Sequence, residues 1–207
     1  MKILTCALIA DGSSDRALIP LIKLLLLAHL QSPFEEPQLI QTEKPDLGSK
    51  VEDALNKFAI DILFIHRDAE NEDYQHREAE IHRVVPLEKI DSVVCVIPIK
   101  MTETWLLTDP VVIRCAVGNP NSAVSLPLPS LGKLEACQAK EVLFQVLTIA
   151  SEFGAQRRRK FKPEKYRHRV AELTSDLKLL RKIPSFKRFE NALLNCLKKL
   201  GESAEYP

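Results

Sequence analysis

The five cysteines of this chain (Cys6, Cys95, Cys115, Cys137 and Cys196) are odd in number and never fall in a Cys-x-x-Cys spacing. That argues against a zinc site and against a disulfide framework, and a reducing cytoplasm becomes the expected setting. Cys6 and Cys95 lie inside apolar runs, where a free thiol behaves as a small hydrophobe. No apolar run is long enough for a bilayer: the longest, residues 18–30, spans 13 positions and carries Lys23 and His29. Met1-Lys2-Ile3-Leu4 shows no signal-peptide pattern. Neither Gly-x-x-x-x-Gly-Lys-Ser/Thr nor Gly-x-Gly-x-x-Gly occurs, which counts against a nucleotide-binding domain acting on small phosphates. No nucleophile elbow supports a Ser or Cys hydrolase. Internal repeats and recognisable nucleic-acid-binding motifs are also missing.

What is present is an ordinary globular composition, 45% hydrophobic and 28% charged over 207 residues. A chain of this length buries about 70% of its unfolded surface and needs no staple. The net charge of +1 conceals a split. Residues 1–110 hold 11 Lys+Arg against 19 Asp+Glu, a net of −8; residues 111–207 hold 18 against 9, a net of +9. Such a split suits an acidic front with a polyanion-facing surface behind it, or two halves that attract each other.

Continuous apolar runs at residues 3–10, 60–65 and 92–99 predict strands buried on both faces, with a weaker strand at 38–42. Helical patterns lie between them, at about 15–29, 48–58 and 72–84, and a further helix runs from Met101 to a stop near Asp109-Pro110. Pro20 delays or kinks the first helix, Ser13 or Ser14 is its expected cap, and Gly12 permits a tight turn. Alternation of strand and helix predicts βαβ crossovers and a mainly parallel sheet flanked by helices. After Pro110 only helices are expected, near 140–152, 165–174 and 186–200. The expected organisation is therefore an α/β domain over residues 1–110, with a basic, helical C-terminal extension over 111–207 packed on it. Trp105 is expected in the core.

The strong strands end at acids. Asp11 closes the first, Asp68 and Glu70 follow the second, and Glu103 follows the third. Ligands of open parallel sheets bind beyond the carboxyl ends of the strands. Carboxylates gathered there suit Mg²⁺ or Mn²⁺, hard cations that prefer oxygen and serve displacement at phosphorus. Each acid also has a purely structural reading: Asp11 as a turn cap, Asp68, Glu70 and Glu103 as first-turn acids favoured by a helix dipole. His66 reads equally as a satisfied core histidine and as a ligand or proton carrier, and Lys100 as a surface lysine or a phosphate holder. Residues 157–169 hold eight Lys/Arg against one Glu. Arg157, Arg158, Arg159, Lys160, Lys162, Arg167 and Arg169 are the candidate nucleic-acid contacts, with Phe161 or Tyr166 able to stack on an unpaired base. A solvated loop before a helix is the structural alternative.

Three segments, Ala10-Asp11-Gly12-Ser13-Ser14-Asp15, Phe64-Ile65-His66-Arg67-Asp68-Ala69-Glu70 and Met101-Thr102-Glu103-Thr104-Trp105-Leu106-Leu107-Thr108-Asp109, carry a family resemblance. Weaker matches lie at Ala139-Lys140-Glu141-Val142-Leu143 and Pro184-Ser185-Phe186-Lys187-Arg188-Phe189. With these motifs the chain resembles the Toprim-like DUF4276 family, related to OLD-type Toprim nucleases. The resemblance implies a Toprim-like fold in which an acid after the first strand assists catalysis and an acidic pair after a later strand holds metals. Asp11 falls where Toprim proteins usually carry Glu, one methylene longer. The usual Asp-x-Asp pair appears as His66-x-Asp68 or as Asp68-x-Glu70, and the second keeps both acids. The expected activity is a metal-dependent nuclease with Asp11 and Asp68 catalytic and Asp68, Glu70 and Glu103 holding Mg²⁺ or Mn²⁺. By the same analogy an ATPase partner in a genome-defence module is implied. The alternative is a non-catalytic nucleic-acid- or partner-binding subunit on a degenerate Toprim scaffold.

Overall fold

Four short strands occupy the predicted apolar runs in the computed structural model, which describes residues 2–70 and 72–202. They are β1 (Cys6–Ile9), β2 (Gln38–Ile40), β3 (Ile62–His66) and β4 (Val93–Val96). They form one sheet in the order β2-β1-β3-β4, parallel throughout. Every residue of β1, β3 and β4 is buried, as continuous apolar strands require when helices cover both faces of a sheet. Alternation along the strands divides their side chains between two cores. Cys6, Leu8, Ile62, Phe64, Val94 and Val96 belong to one; Ala7, Ile9, Leu63, Ile65, Val93 and Cys95 belong to the other.

Helix α1 (Leu18–His29) packs into the first core, and α2 (Leu47–Lys57) and α3 (Tyr74–Val84) cover the second. Beyond β4 the described residues contain helices and no strand: α4 (Glu103–Leu106), α5 (Pro110–Ala116), α6 (Ala139–Ala150), α7 (Ala155–Lys160), α8 (Arg167–Leu173), α9 (Leu177–Leu180) and α10 (Pro184–Lys199). Residues before and after 110 share the first core, where Leu8 and Phe64 meet Leu147 and Phe189. The architecture is thus α/β with a Rossmann-like parallel sheet. Among the described residues no helix is long and apolar enough to cross a membrane.

Local chemistry moves some predicted boundaries. A single 3₁₀ turn (Ser13–Ala17) precedes α1, so Pro20 is the third residue of that helix, where a backbone N–H has no partner to lose. Neither serine caps this turn; the Asp15 carboxylate accepts the Gly12 N–H at 3.0 Å instead. Gly12 itself has φ −140°, an extended conformation open to any residue. The helix expected from Met101 to Asp109-Pro110 ends earlier, at Leu106, and a separate helix starts at Pro110. Asp109 Oδ1 accepts the Val111 N–H at 2.7 Å and starts α5, with Pro110 in its first position.

Trp105 anchors the segment that follows β4. Its indole is fully buried, stacked on Phe189 (5.7 Å between centroids, 5°) and edge-on to Phe186 (5.2 Å, 90°). Its Nε1–H donates to Ser185 Oγ at 2.9 Å, tying α4 to the start of α10. Trp105→Ala is expected to cost about 3–5 kcal/mol through the cavity it leaves. Ser185→Ala strands a buried N–H and is expected to cost about 1–3 kcal/mol. Urea unfolding followed by circular dichroism checks both; unchanged midpoints would show that this anchor carries no stability.

Candidate functional site

The strand order places a reversal of direction between β1 and β3: one crossover leads from β1 outward to β2, the next returns past it to β3. In α/β sheets the ligand crevice opens at such a point, beyond the carboxyl ends of the strands. A cleft of about 340 Å³ lies there, within the range of small-ligand sites. The turn after β1 contributes Ser14 and Asp15, the loop after β3 Asp68 and Glu70, and the loop after β4 Lys100, Thr102 and Glu103. Lys140 near the start of α6 and Arg167 at the start of α8 complete the polar rim. Three of the four predicted acids, Asp68, Glu70 and Glu103, therefore share one cleft.

His66 sits beneath it, 3% exposed at the end of β3. Its Nε2 lies 3.2 Å from Asp68 Oδ1 and 3.3 Å from Thr102 Oγ1. Its Nδ1 has no hydrogen bond among the described residues and faces Asp15 Oδ2 at 3.7 Å. The imidazole thus stands between two carboxylates that enter from different strands. Burial pushes the Asp68 carboxyl above its ordinary range, and the neighbouring Asp15 and Glu103 charges push the same way; the His66 hydrogen bond opposes them without prevailing. Glu103 is 5% exposed, and Arg167 Nη1 donates to its Oε1 at 2.6 Å. Glu70 takes a left-handed conformation, φ 54°, which costs a residue with a Cβ about 1–3 kcal/mol and concentrates at functional loops. The Ala69 N–H donates to the Pro98 carbonyl at 2.9 Å, holding this acidic loop against the continuation of β4.

Asp11 stands apart from this group. Lys50 Nζ donates to its Oδ1 at 3.0 Å and Arg67 Nη1 to its Oδ2 at 2.8 Å, on the side facing β2 and α2. Partial burial works against ionisation, yet Lys50 and Arg67 together hold the Asp11 carboxyl below its usual range. The acid that the turn after β1 delivers to the cleft is Asp15. Both acids lie in Asp11-Gly12-Ser13-Ser14-Asp15, and only the course of the 3₁₀ turn decides which one faces inward. Arg167 is another residue whose place differs from expectation: it turns into the cleft as a partner for Glu103. Arg169 pairs with Glu172 at 3.1 Å. Arg157, Arg158, Arg159 and Lys160 ride exposed on α7, followed by exposed Lys162. The seven predicted cations are therefore not one surface.

Carboxylate oxygens are the right donors for Mg²⁺ or Mn²⁺. Among the described residues no group of three or more His, Cys, Asp or Glu side chains is gathered closely enough to cage a metal ion. Mg²⁺ does not need such a cage, since it commonly uses one or two carboxylates and keeps water or substrate phosphate as its other ligands. Asp68 gives one oxygen to His66, and Glu70 forms no ion pair among the described residues, so this pair fits that pattern. Comparison of the chain with protein-family models, curated proteins and solved structures returns no match.

The strained ionisation of Asp68 has a thermodynamic consequence. Its folded pKa lies above the unfolded value, so the native state holds the proton more tightly and stability falls as pH rises between the two. Asp68→Asn removes that loss. The variant is expected to melt above the wild type at neutral pH and level with it below pH ~3.5, under the ordinary aspartate range. A variant that melts lower at neutral pH would show that Asp68 is stabilised by its surroundings.

Proposed function

We propose that this chain is a metal-dependent phosphodiesterase acting on nucleic acid, a nuclease on a Toprim-like scaffold. The observation that carries the reading is the convergence of Asp15, Asp68, Glu70 and Glu103, from the ends of three parallel strands, in one cleft rimmed by Lys100, Lys140 and Arg167. In this reading Asp68 and Glu70 hold Mg²⁺ or Mn²⁺, which neutralises charge on a phosphate and lowers the pKa of water. His66 fixes the orientation of the Asp68 carboxylate, much as outer-shell partners orient metal ligands. Arg167, itself held by Glu103, and Lys140 bind the phosphate oxygens. Asp15 accepts the proton of the attacking water, in the turn where Asp11 is expected to complete the site or position water, while Asp11 orders Arg67 beside the site. The genome-defence setting and an ATPase partner rest on the Toprim resemblance and stand or fall with it.

One feature favours the second reading, a non-catalytic binding subunit: at the acid positions of the Toprim resemblance, His66 replaces a carboxylate and Asp11 is held outside the cleft by Lys50 and Arg67. Incubation of plasmid DNA and RNA with the protein separates the two. The nuclease reading expects cleavage with Mg²⁺ or Mn²⁺ that is lost with chelator and in Asp68→Ala. Asp15→Asn is expected to fall about 100–10,000-fold, as loss of a general base does, whereas Asp11→Asn stays within about threefold of the wild type, having no part in the cleft. Cleavage that survives Asp68→Ala, or nucleic-acid binding with no metal-dependent turnover, excludes this nuclease.

A further inference from the structure

A second recess lies beside the acidic cleft and is built differently. Phe153, Phe161 and Tyr166 come together where the chain leaves α6, forms α7 and passes through a 3₁₀ turn (Pro163–Tyr166). Phe161 meets Phe153 edge-on (5.4 Å between centroids, 84°) and Tyr166 at a tilt (5.0 Å, 35°). The three rings are half-buried and line an open groove of about 440 Å³. Arg157, Lys160, Lys162 and Lys165 line it with them.

The charges of the groove differ from the cations engaged in ion pairs. Lys50, Arg67, Arg77 and Arg167 each hold a carboxylate. Among the described residues none of Arg157, Lys160, Lys162 and Lys165 does so. Four cations that repel one another across an aromatic floor match a polyanion that also carries flat apolar rings. Nucleic acid has both, but in a duplex the base faces are covered by their stacked neighbours. An unpaired base has a free face, and stacking on aromatic side chains tolerates any base. A groove of this volume admits one base with its flanking phosphates.

We infer that the groove is a single-strand subsite, in which an unpaired base stacks on Phe161 and Tyr166 while Lys160, Lys162 and Lys165 hold the adjoining phosphates. It deepens the nuclease reading and rests on it in one respect, that the strand continues into the acidic cleft. Tyr166 lines the groove and Arg167, the next residue, lines the cleft, so the two recesses are lined by consecutive residues of the chain.

Fluorescence anisotropy with labelled 20-nucleotide DNA and RNA, single-stranded and duplex, tests this on the full chain in the absence of divalent cations. Single strands of either sugar are expected to bind at least about 10-fold tighter than the duplex. Lys162 and Lys165 are exposed, so the double charge reversal Lys162→Glu/Lys165→Glu leaves packing untouched. It is expected to weaken single-strand binding about 10-fold or more. The slope of log affinity against log salt should fall in magnitude by about 1.4 or more, roughly 0.7 per lost contact. Phe161→Leu keeps apolar volume in the groove but removes the ring; it is expected to abolish the quenching of a 2-aminopurine base while circular dichroism is unchanged. Equal affinity for single strand and duplex, or wild-type binding by the charge-reversed protein, would overturn the inference. Metal-free single-strand binding by a wild-type protein that cuts nothing would keep the groove and remove the nuclease. Cleavage of single strands by the charge-reversed protein at the wild-type rate would keep the nuclease and remove the groove.

Discussion

Parallel pairing of β1, β3 and β4 is the constraint on which the cleft depends. Ile9 lies opposite Ile65, and Ile65 opposite Cys95, so three chain segments leave the sheet at one level. The side chains that fix this register are almost all apolar and buried, each contributing about 1.5–3 kcal/mol for the large aliphatics. The residues just beyond the strand ends are acidic and would separate if free to do so. Burial raises the Asp68 carboxyl above its ordinary range, and the Asp15 and Glu103 charges that the core brings near it add to that shift. Arg167 relieves Glu103, but no described lysine or arginine pairs with Asp68, whose partner is His66. A divalent ion or the cationic end of a ligand has an electrostatic reason to enter.

The charge split along the chain resolves into two different uses. Some of the positive half is internal: Arg167 on Glu103 and Lys199 on Asp91 tie α8 and α10 to carboxylates of the acidic half. The cations between 157 and 165 do nothing of the kind and stay outward beside the half-buried rings. Mutual attraction thus accounts for part of the split, and a surface for polyanions is our proposal for the rest. Arg167 stands at the boundary, at the end of the outward run and inside the cleft. Tyr166 and Arg167, consecutive in the chain, line the aromatic groove and the acidic cleft in turn.

The strands were legible because continuous burial leaves continuous apolar sequence, and residues 62–65 and 93–96 have no other use. Pro20 was legible as a late start for α1 because a missing N–H has one cheap position in a helix. The start of a separate helix at Pro110 was harder, since Asp followed by Pro both ends one helix and caps another. The site was half legible. Asp68 and Glu70 follow a strand directly, so strand direction alone carries them to the edge. Asp11 and Asp15 lie four residues apart within a turn, and their opposite orientations depend on Lys50, Arg67 and His66, residues far away in sequence. Arg167 was hidden for the same reason, being 64 residues from the Glu103 it reaches. Long-range partners of this kind have no periodicity to betray them.

The central physical claim is that carboxylates from separate strands form a single cation-holding cleft in which Asp15 takes part and Asp11 does not. Titration with Mn²⁺, following the free ion by electron paramagnetic resonance, addresses it without reference to any substrate. One saturable ion per chain is expected, retained in Asp11→Asn and weakened or lost in Asp68→Asn and in Glu70→Gln. No saturable binding by the wild type, or a site lost in Asp11→Asn and kept in Asp68→Asn, would contradict it.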